Sequence, residues 1–151
     1  MKTLSAYIEN SVIGGYFDEE FKESTVLLFD EFKKGNYKSV ISDHVISELD
    51  DGAPQYIVDN LNTLIYEKVE VTDEMRNLAD LYVEKGIITP KFYGDALHIA
   101  IATVIGVDVL ISWNFRHIVN LNKIKQFNLV NLNENYRELE IRTPKEMINY
   151  E

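Results

Sequence analysis

Three carboxylates and one amide, Glu9, Glu48, Asp95 and Asn114, fall where an alternating strand–helix pattern can bring side chains to one edge. Glu9 follows an apolar run, Asn114 follows another, Glu48 lies on a helical stretch, and Asp95 opens an apolar helix. Carboxylates gathered in one place repel and retain protons, so the usual reason to gather them is a hard cation that takes oxygen ligands, Mg²⁺ or Mn²⁺. Such a cation activates water and neutralises phosphate, which is the chemistry of phosphodiester hydrolysis. A chain with 25 acidic residues also places some near strand ends by accident, where they cap helices or sit in water. Asp95 resists that account most strongly, because a carboxylate in an apolar helix is costly to bury without a partner. Glu48 resists it least, since it belongs to the polar run Glu48, Asp50 and Asp51.

Other side chains allow two accounts. His98 lies three residues after Asp95, on the same helical face, and is placed to bond that carboxylate or approach a scissile phosphate. The commoner account of such a histidine is a satisfied core side chain, and the case for His44 and His117 is weaker still. Trp113 beside Asn114 either stacks on an unpaired base or, more commonly, closes a buried strand. Gly14-Gly15 is not a phosphate loop, and neither a dinucleotide fingerprint nor a nucleophile elbow occurs. The absence of cysteine removes disulfides, thiolate sites and a cysteine nucleophile.

The elements that must position these residues alternate. Thr3–Ile8 reads as a strand, followed by a turn through Gly14 and Gly15. Asp18 is the expected N-cap of a helix with the stripe Phe21, Thr25, Leu28, Phe29 and Phe32, closed by Gly35. Tyr37–Ile41 is a strand, and Ser42 or Asp43 caps a helix holding Val45, Ile46 and Leu49 on one side. Pro54 is expected at the first position of a helix whose stripe is Ile57, Leu61, Leu64 and Ile65. Lys68–Val71 is a strand, Thr72 caps a helix ending at Gly86, and Thr89-Pro90 starts another that is apolar on nearly all sides from Ala96 to Ile105. Asp108–Trp113 reads as a buried strand, Phe115–Gln126 as a helix and Leu139–Arg142 as an edge strand, with a last turn at Thr143 and Pro144. Alternation predicts an α/β fold of three layers, α/β/α, with a mostly parallel sheet and ligands at the carboxyl ends of strands.

With 151 residues, 46% hydrophobic and 26% charged, the sequence suits one packed domain over 1–151. No apolar stretch is long enough to span a bilayer and Met1–Ile8 lacks a secretory core, so a cytoplasmic protein without membrane contact is expected. A net charge of −10 argues against broad electrostatic binding to nucleic acid. Locally the balance reverses: from Val109 to Asn133 there is no acid, while Arg116, Lys123 and Lys125 are present. A solvated helix face and a nucleic-acid contact both account for that stretch.

Four segments carry a family resemblance. Tyr7–Ile13, Ser42–Leu49, Asp95–Ala100 and Asp108–Phe115 resemble, in order and spacing, the signature segments of PIN domains, and from the first to the last they span most of the chain. Within that superfamily the sequence looks most like the VapC-type toxins of bacterial toxin–antitoxin pairs, which are small Mg²⁺-dependent ribonucleases. The resemblance implies a PIN-like fold, an RNA substrate, Mg²⁺ or Mn²⁺ as cofactor, a small antitoxin partner and a homodimer. It assigns Glu9, Glu48 and Asp95 to the metal shell, Ser11 to a supporting hydroxyl, and Asn114 to the fourth catalytic position. Two residues depart from the pattern: Glu9 stands where Asp is usual, and Asn114 where a further Asp is usual. Glu still offers a carboxylate, whereas Asn offers a neutral oxygen and holds a cation less strongly. The alternatives are a PIN-fold module that has weakened or lost its chemistry and binds a protein or RNA partner, and a different α/β phosphohydrolase. The last would require an Asp-x-Asp at the end of the first strand, which Glu9-Asn10-Ser11 does not supply.

Overall fold

Short runs rich in Val, Ile and Tyr build the sheet: β1 (Leu4–Ile8), β2 (Tyr37–Ser42), β3 (Tyr66–Val69), β4 (Val109–Ile111) and β5 (Ile141–Arg142). They pair in the order β3-β2-β1-β4-β5, every pair parallel, so the mostly parallel sheet expected is parallel throughout. The computed structural model describes residues 2–148; residue 1 and residues 149–151 of the expected 1–151 span lie outside the described residues. Consecutive residues Ala6, Tyr7 and Ile8 of β1, and all of β4, are buried. Side chains alternate between faces of a strand, so both faces are covered, as in a layered α/β fold.

The helices are α1 (Asn10–Gly15), α2 (Lys22–Lys33), α3 (Asp43–Asp50), α4 (Gln55–Leu61), α5 (Asp73–Glu84), α6 (Tyr93–Ile105) and α7 (Leu121–Asn133). Caps act where their chemistry is local. Ser42 Oγ accepts the Val45 N–H at 3.2 Å, Thr72 Oγ1 accepts that of Met75 at 3.3 Å, and Gly35 and Gly86 end α2 and α5 at φ +78° and +76°. From Ala96 to Thr103 every residue of α6 is buried, as its uniform apolarity requires.

Six expectations are corrected. Gly14-Gly15 is not a turn but the end of α1, and Gly15 is there for proximity: a Cβ would lie 2.9 Å from Trp113 Cδ1. Asp18 caps an exposed turn by accepting the Glu20 N–H, and α2 starts later, at Lys22. Pro54 is the N-cap of α4 rather than its first residue. The third strand begins at Tyr66, which leaves Ile65 fully exposed in the connection instead of in a helical stripe. The helix expected over Phe115–Gln126 begins only at Leu121 and runs to Asn133. Asn114 interrupts it, because its Oδ1 accepts the His117 N–H and its carbonyl those of Ile118 and Val119, closing a turn; Asn120 then caps α7 through the Lys123 N–H. The strand expected over Asp108–Trp113 is correspondingly shorter, Val109–Ile111.

Candidate functional site

The strand order reverses between β1 and β4, and in an open parallel sheet such a point leaves a crevice beyond the carboxyl ends of the strands. Glu9 sits there. Its backbone N–H donates to the Ile111 carbonyl at 3.2 Å, and its side chain is the N-cap of α1, Oε2 accepting the Ser11 N–H at 2.9 Å. Oε1 accepts two hydroxyls, Ser11 Oγ at 2.5 Å and Ser112 Oγ at 2.6 Å. The Ser11 hydroxyl in turn accepts the Trp113 N–H at 2.8 Å. Glu9 is 5% exposed; three donors and a helix N-terminus offset the burial of its carboxylate.

Glu48 is held from α6. His98, fully buried, donates from Nε2 to Glu48 Oε1 at 2.6 Å, and its Nδ1 meets the Tyr7 hydroxyl at 2.8 Å. Tyr7 Oη lies 2.8 Å from Ser42 Oγ, which completes a buried relay from β1 and β2 to Glu48. Burial pushes the Tyr7 hydroxyl pKa far above its ordinary value, and the nearby Glu9 and Glu48 carboxylates push the same way, so Tyr7 stays protonated. Burial would raise the Glu48 carboxyl, but the His98 hydrogen bond and the charges of His98 and His44 outweigh it and hold Glu48 below the ordinary carboxylate value. His44 is pushed down by burial and by His98; its Nε2 donates to the Gly94 carbonyl at 3.0 Å and lies 3.8 Å from Glu48 Oε2. His44, Glu48 and His98 form a group of metal-type ligands within 4.8 Å of one another.

Asp95 has a different partner. Its Oδ2 meets His117 Nδ1 at 2.7 Å, while His98, on the same helix three residues on, turns to Glu48. Asn114 reaches Asp95 only through His117, whose N–H it accepts. Its own N–H donates to Ser112 Oγ at 2.9 Å, which returns the chain of bonds to Glu9. On the far side Asn10 Nδ2 donates to the Val45 carbonyl at 3.0 Å and ties the start of α1 to α3, which carries Glu48. Hydrogen bonds thus link Glu9, Ser112, Asn114, His117 and Asp95 in one series, while Asn10 ties α1 to α3, whose Glu48 meets His98. Trp113 is core: it stacks on Phe21 at 4.4 Å between centroids, and its Nε1 donates to Thr25 Oγ1.

Glu9 and Asp95 are not members of the close histidine–Glu48 group; each is anchored by its own donors. The oxygens left over suit a hard cation. Asp95 Oδ1 makes no hydrogen bond to a described residue, and Glu48 Oε2 has only the distant His44. The imidazoles are committed: both His98 nitrogens and His44 Nε2 are already bonded. The close group itself holds two imidazoles and one carboxylate, and the free carboxylate oxygens are the donors suited to a hard cation. The contributions of Ser112, Tyr7 and His44 carry no signal in the sequence, since each depends on a partner more than thirty residues away or across strands. His117 carried only the weak signal of being a histidine near Asn114.

No family model matches this sequence, and no curated protein does. Among solved structures the chain is similar to one in the crystal structure of VapBC2 from Rickettsia felis bound to a DNA fragment from their promoter, with a TM-score of 0.58 and 16% identity over 91% of this chain and 98% of that one. At that identity the likeness is one of fold, and it places this five-stranded parallel α/β architecture beside that of a VapBC2 chain.

Proposed function

We propose that the protein is a Mg²⁺- or Mn²⁺-dependent ribonuclease of the toxin–antitoxin type, with Glu9, Glu48 and Asp95 as the metal-holding carboxylates. What supports this is that each of the three carboxylates is fixed by its own hydrogen bonds, Glu9 directly after β1, Glu48 in the helix that follows β2 and Asp95 in the first turn of α6, in a parallel sheet whose strand order reverses between β1 and β4. When bound, the cation supplies an activated water and charge neutralisation on the phosphate. The protein's own part is preorganisation. Ser11 and Ser112 fix Glu9, His98 and the Tyr7–Ser42 relay fix Glu48, and His117 fixes Asp95. Glu48, held below the ordinary carboxylate range, stays ionised at neutral pH and serves to bind charge rather than donate a proton.

The same reading gives the chain an RNA substrate, a small antitoxin protein as partner, a homodimeric state and a cytoplasmic location. Among the described residues no helix is long and apolar enough to cross a membrane. One observation favours the second reading, a PIN-fold module weakened or inactive in catalysis that binds a protein or RNA partner: the Asn114 side-chain oxygen, Oδ1, already accepts the His117 N–H. The test is cleavage of single-stranded RNA with Mg²⁺ or Mn²⁺, its arrest by chelator, and its loss in Asp95→Ala. Loss of a transition-state charge contact of this kind lowers turnover by roughly 10²-fold or more. Equal cleavage by Asp95→Ala overturns the nuclease; metal binding without cleavage by the wild type supports the binding module.

A further inference from the structure

Beside Asp95, a pocket of about 320 Å³ opens between the end of α5, the 3₁₀ turn Pro90–Phe92 and the segment that follows β4. Its wall includes Phe92, Arg116, His117, Lys123 and Thr89, and no carboxylate lines it. That is unexpected in a chain with 25 acidic and 15 basic residues. Elsewhere Arg76 pairs with Asp73, and Arg142 with Glu140 and Glu146. Arg116 has no carboxylate partner among the described residues; its guanidinium lies over the Phe92 ring, 5.1 Å from the centroid, and none of its N–H groups is hydrogen-bonded to a described residue. Lys123 spends one proton on the Ile87 carbonyl at 2.7 Å and keeps two. His117 forms part of the wall and packs on Phe92 at 4.1 Å, while its Nδ1 holds Asp95.

We infer that this pocket binds a backbone phosphate of a single-stranded RNA, one next to the phosphate presented to the carboxylates. The inference rests on the ribonuclease reading for the identity of the strand. Two unneutralised cations on a wall free of acid select an anion, and the planar guanidinium suits the oxygens of a phosphodiester. His117 links the two places, since one ring contacts both the phosphate pocket and the Asp95 carboxylate. The basic stretch in the sequence thereby divides: Arg116 and Lys123 face the pocket, and Lys125 points away from it to solvent.

The test measures affinity for a fluorescent single-stranded oligoribonucleotide in chelator, so that no cleavage intervenes, across a range of salt. The proteins are wild type, Arg116→Gln/Lys123→Gln, and the charge-matched control Lys33→Gln/Lys34→Gln at the far end of α2. The pocket variant is expected to bind about tenfold or more weakly, with a salt slope shallower by about 1.4, since each lost charge contributes about 0.7 for a single strand. The control is expected to keep the wild-type slope. Arg116→Gln alone, an exposed substitution, gives about half the slope change if the double variant folds poorly. Equal affinity and slope in pocket variant and control overturn the subsite even where wild type cleaves RNA. Binding of a polyglutamate peptide at this pocket in preference to the oligonucleotide overturns it as well, in favour of an acidic protein segment. Slope-dependent binding in a protein that never cleaves leaves the subsite standing and removes the nuclease.

Discussion

At the residue scale, the proposed metal site is expected to turn on Asn114. Its Oδ1 accepts the His117 N–H, and an Asp at this position keeps that bond through one oxygen while adding a negative charge beside Asp95. Asn114→Asp is expected to bind Mg²⁺ more tightly, by about 1 kcal/mol or more in a partly screened site, and to raise cleavage at limiting Mg²⁺. Titration calorimetry beside Asn114→Ala checks it; three indistinguishable proteins would take Asn114 out of the site. A second expectation concerns pH. His44 and Glu48 both have folded values below their ordinary ones, so each binds protons more readily when unfolded. Stability from each is present above the unfolded value and lost as pH falls, beginning near about 6.5 for His44 and continuing below about 4.5 for Glu48. Melting temperatures should therefore decline from pH 7 toward 4, and His44→Gln should flatten the upper part of that decline. An unchanged profile in His44→Gln would mean that His44 titrates no differently in the folded chain.

Two glycines show how the elements set the site. Gly15 lies where α1 meets the Trp113 ring, and an added Cβ would be 2.9 Å from Cδ1 and 3.0 Å from Nε1 of a buried, hydrogen-bonded indole. The indole cannot give way, so Gly15→Ala is expected to destabilise by about 1–3 kcal/mol. Gly94 lies in the first turn of α6, where a Cβ would be 3.2 Å from Glu48 Oε2 and 3.4 Å from His44 Nε2. There the neighbour is the end of a flexible side chain, and Ala gains up to about 1 kcal/mol of helix propensity over Gly. Gly94→Ala is accordingly expected to stay within about 1 kcal/mol of wild type in denaturant unfolding while displacing Glu48 and weakening Mn²⁺ binding. Unchanged metal affinity in that variant would show that Glu48 Oε2 is not a ligand.

For the molecule as a whole, the homodimer implied by the family resemblance would be favoured by aromatic residues beyond those the core takes. The structure divides them: Tyr82 is fully buried and Phe21 partly so, whereas Phe17 and Tyr56 are 41% and 56% exposed and pack on each other at 4.8 Å. Association is expected to appear as a mass near about 35 kDa in light scattering, twice the 17.5 kDa chain. A strict monomer at high concentration counts against it.

What the sequence determined by itself is local. Period and caps located α3 and α5, period and the closing Gly35 located α2, uniform apolarity marked α6 as buried, and alternation of strands and helices fixed a parallel α/β sheet, because each of these signals acts within about a dozen residues. The same locality explains the errors. The apolar period of Phe115–Gln126 ran across Asn120, and Asn114 just before it closes a turn that leaves only the part from Leu121 helical. The carboxylates were legible as residues at strand and helix ends, but their surroundings were not. Helical spacing put His98 beside Asp95, yet His98 is claimed by Tyr7, 91 positions away, and Glu48, 50 positions away, while Asp95 takes His117 from beyond β4. Only the packing of α3 and α6 across β1, and the return of the chain after β4, decided which donor meets which carboxylate, because a hydrogen bond is selected by distance in space and not by separation along the chain.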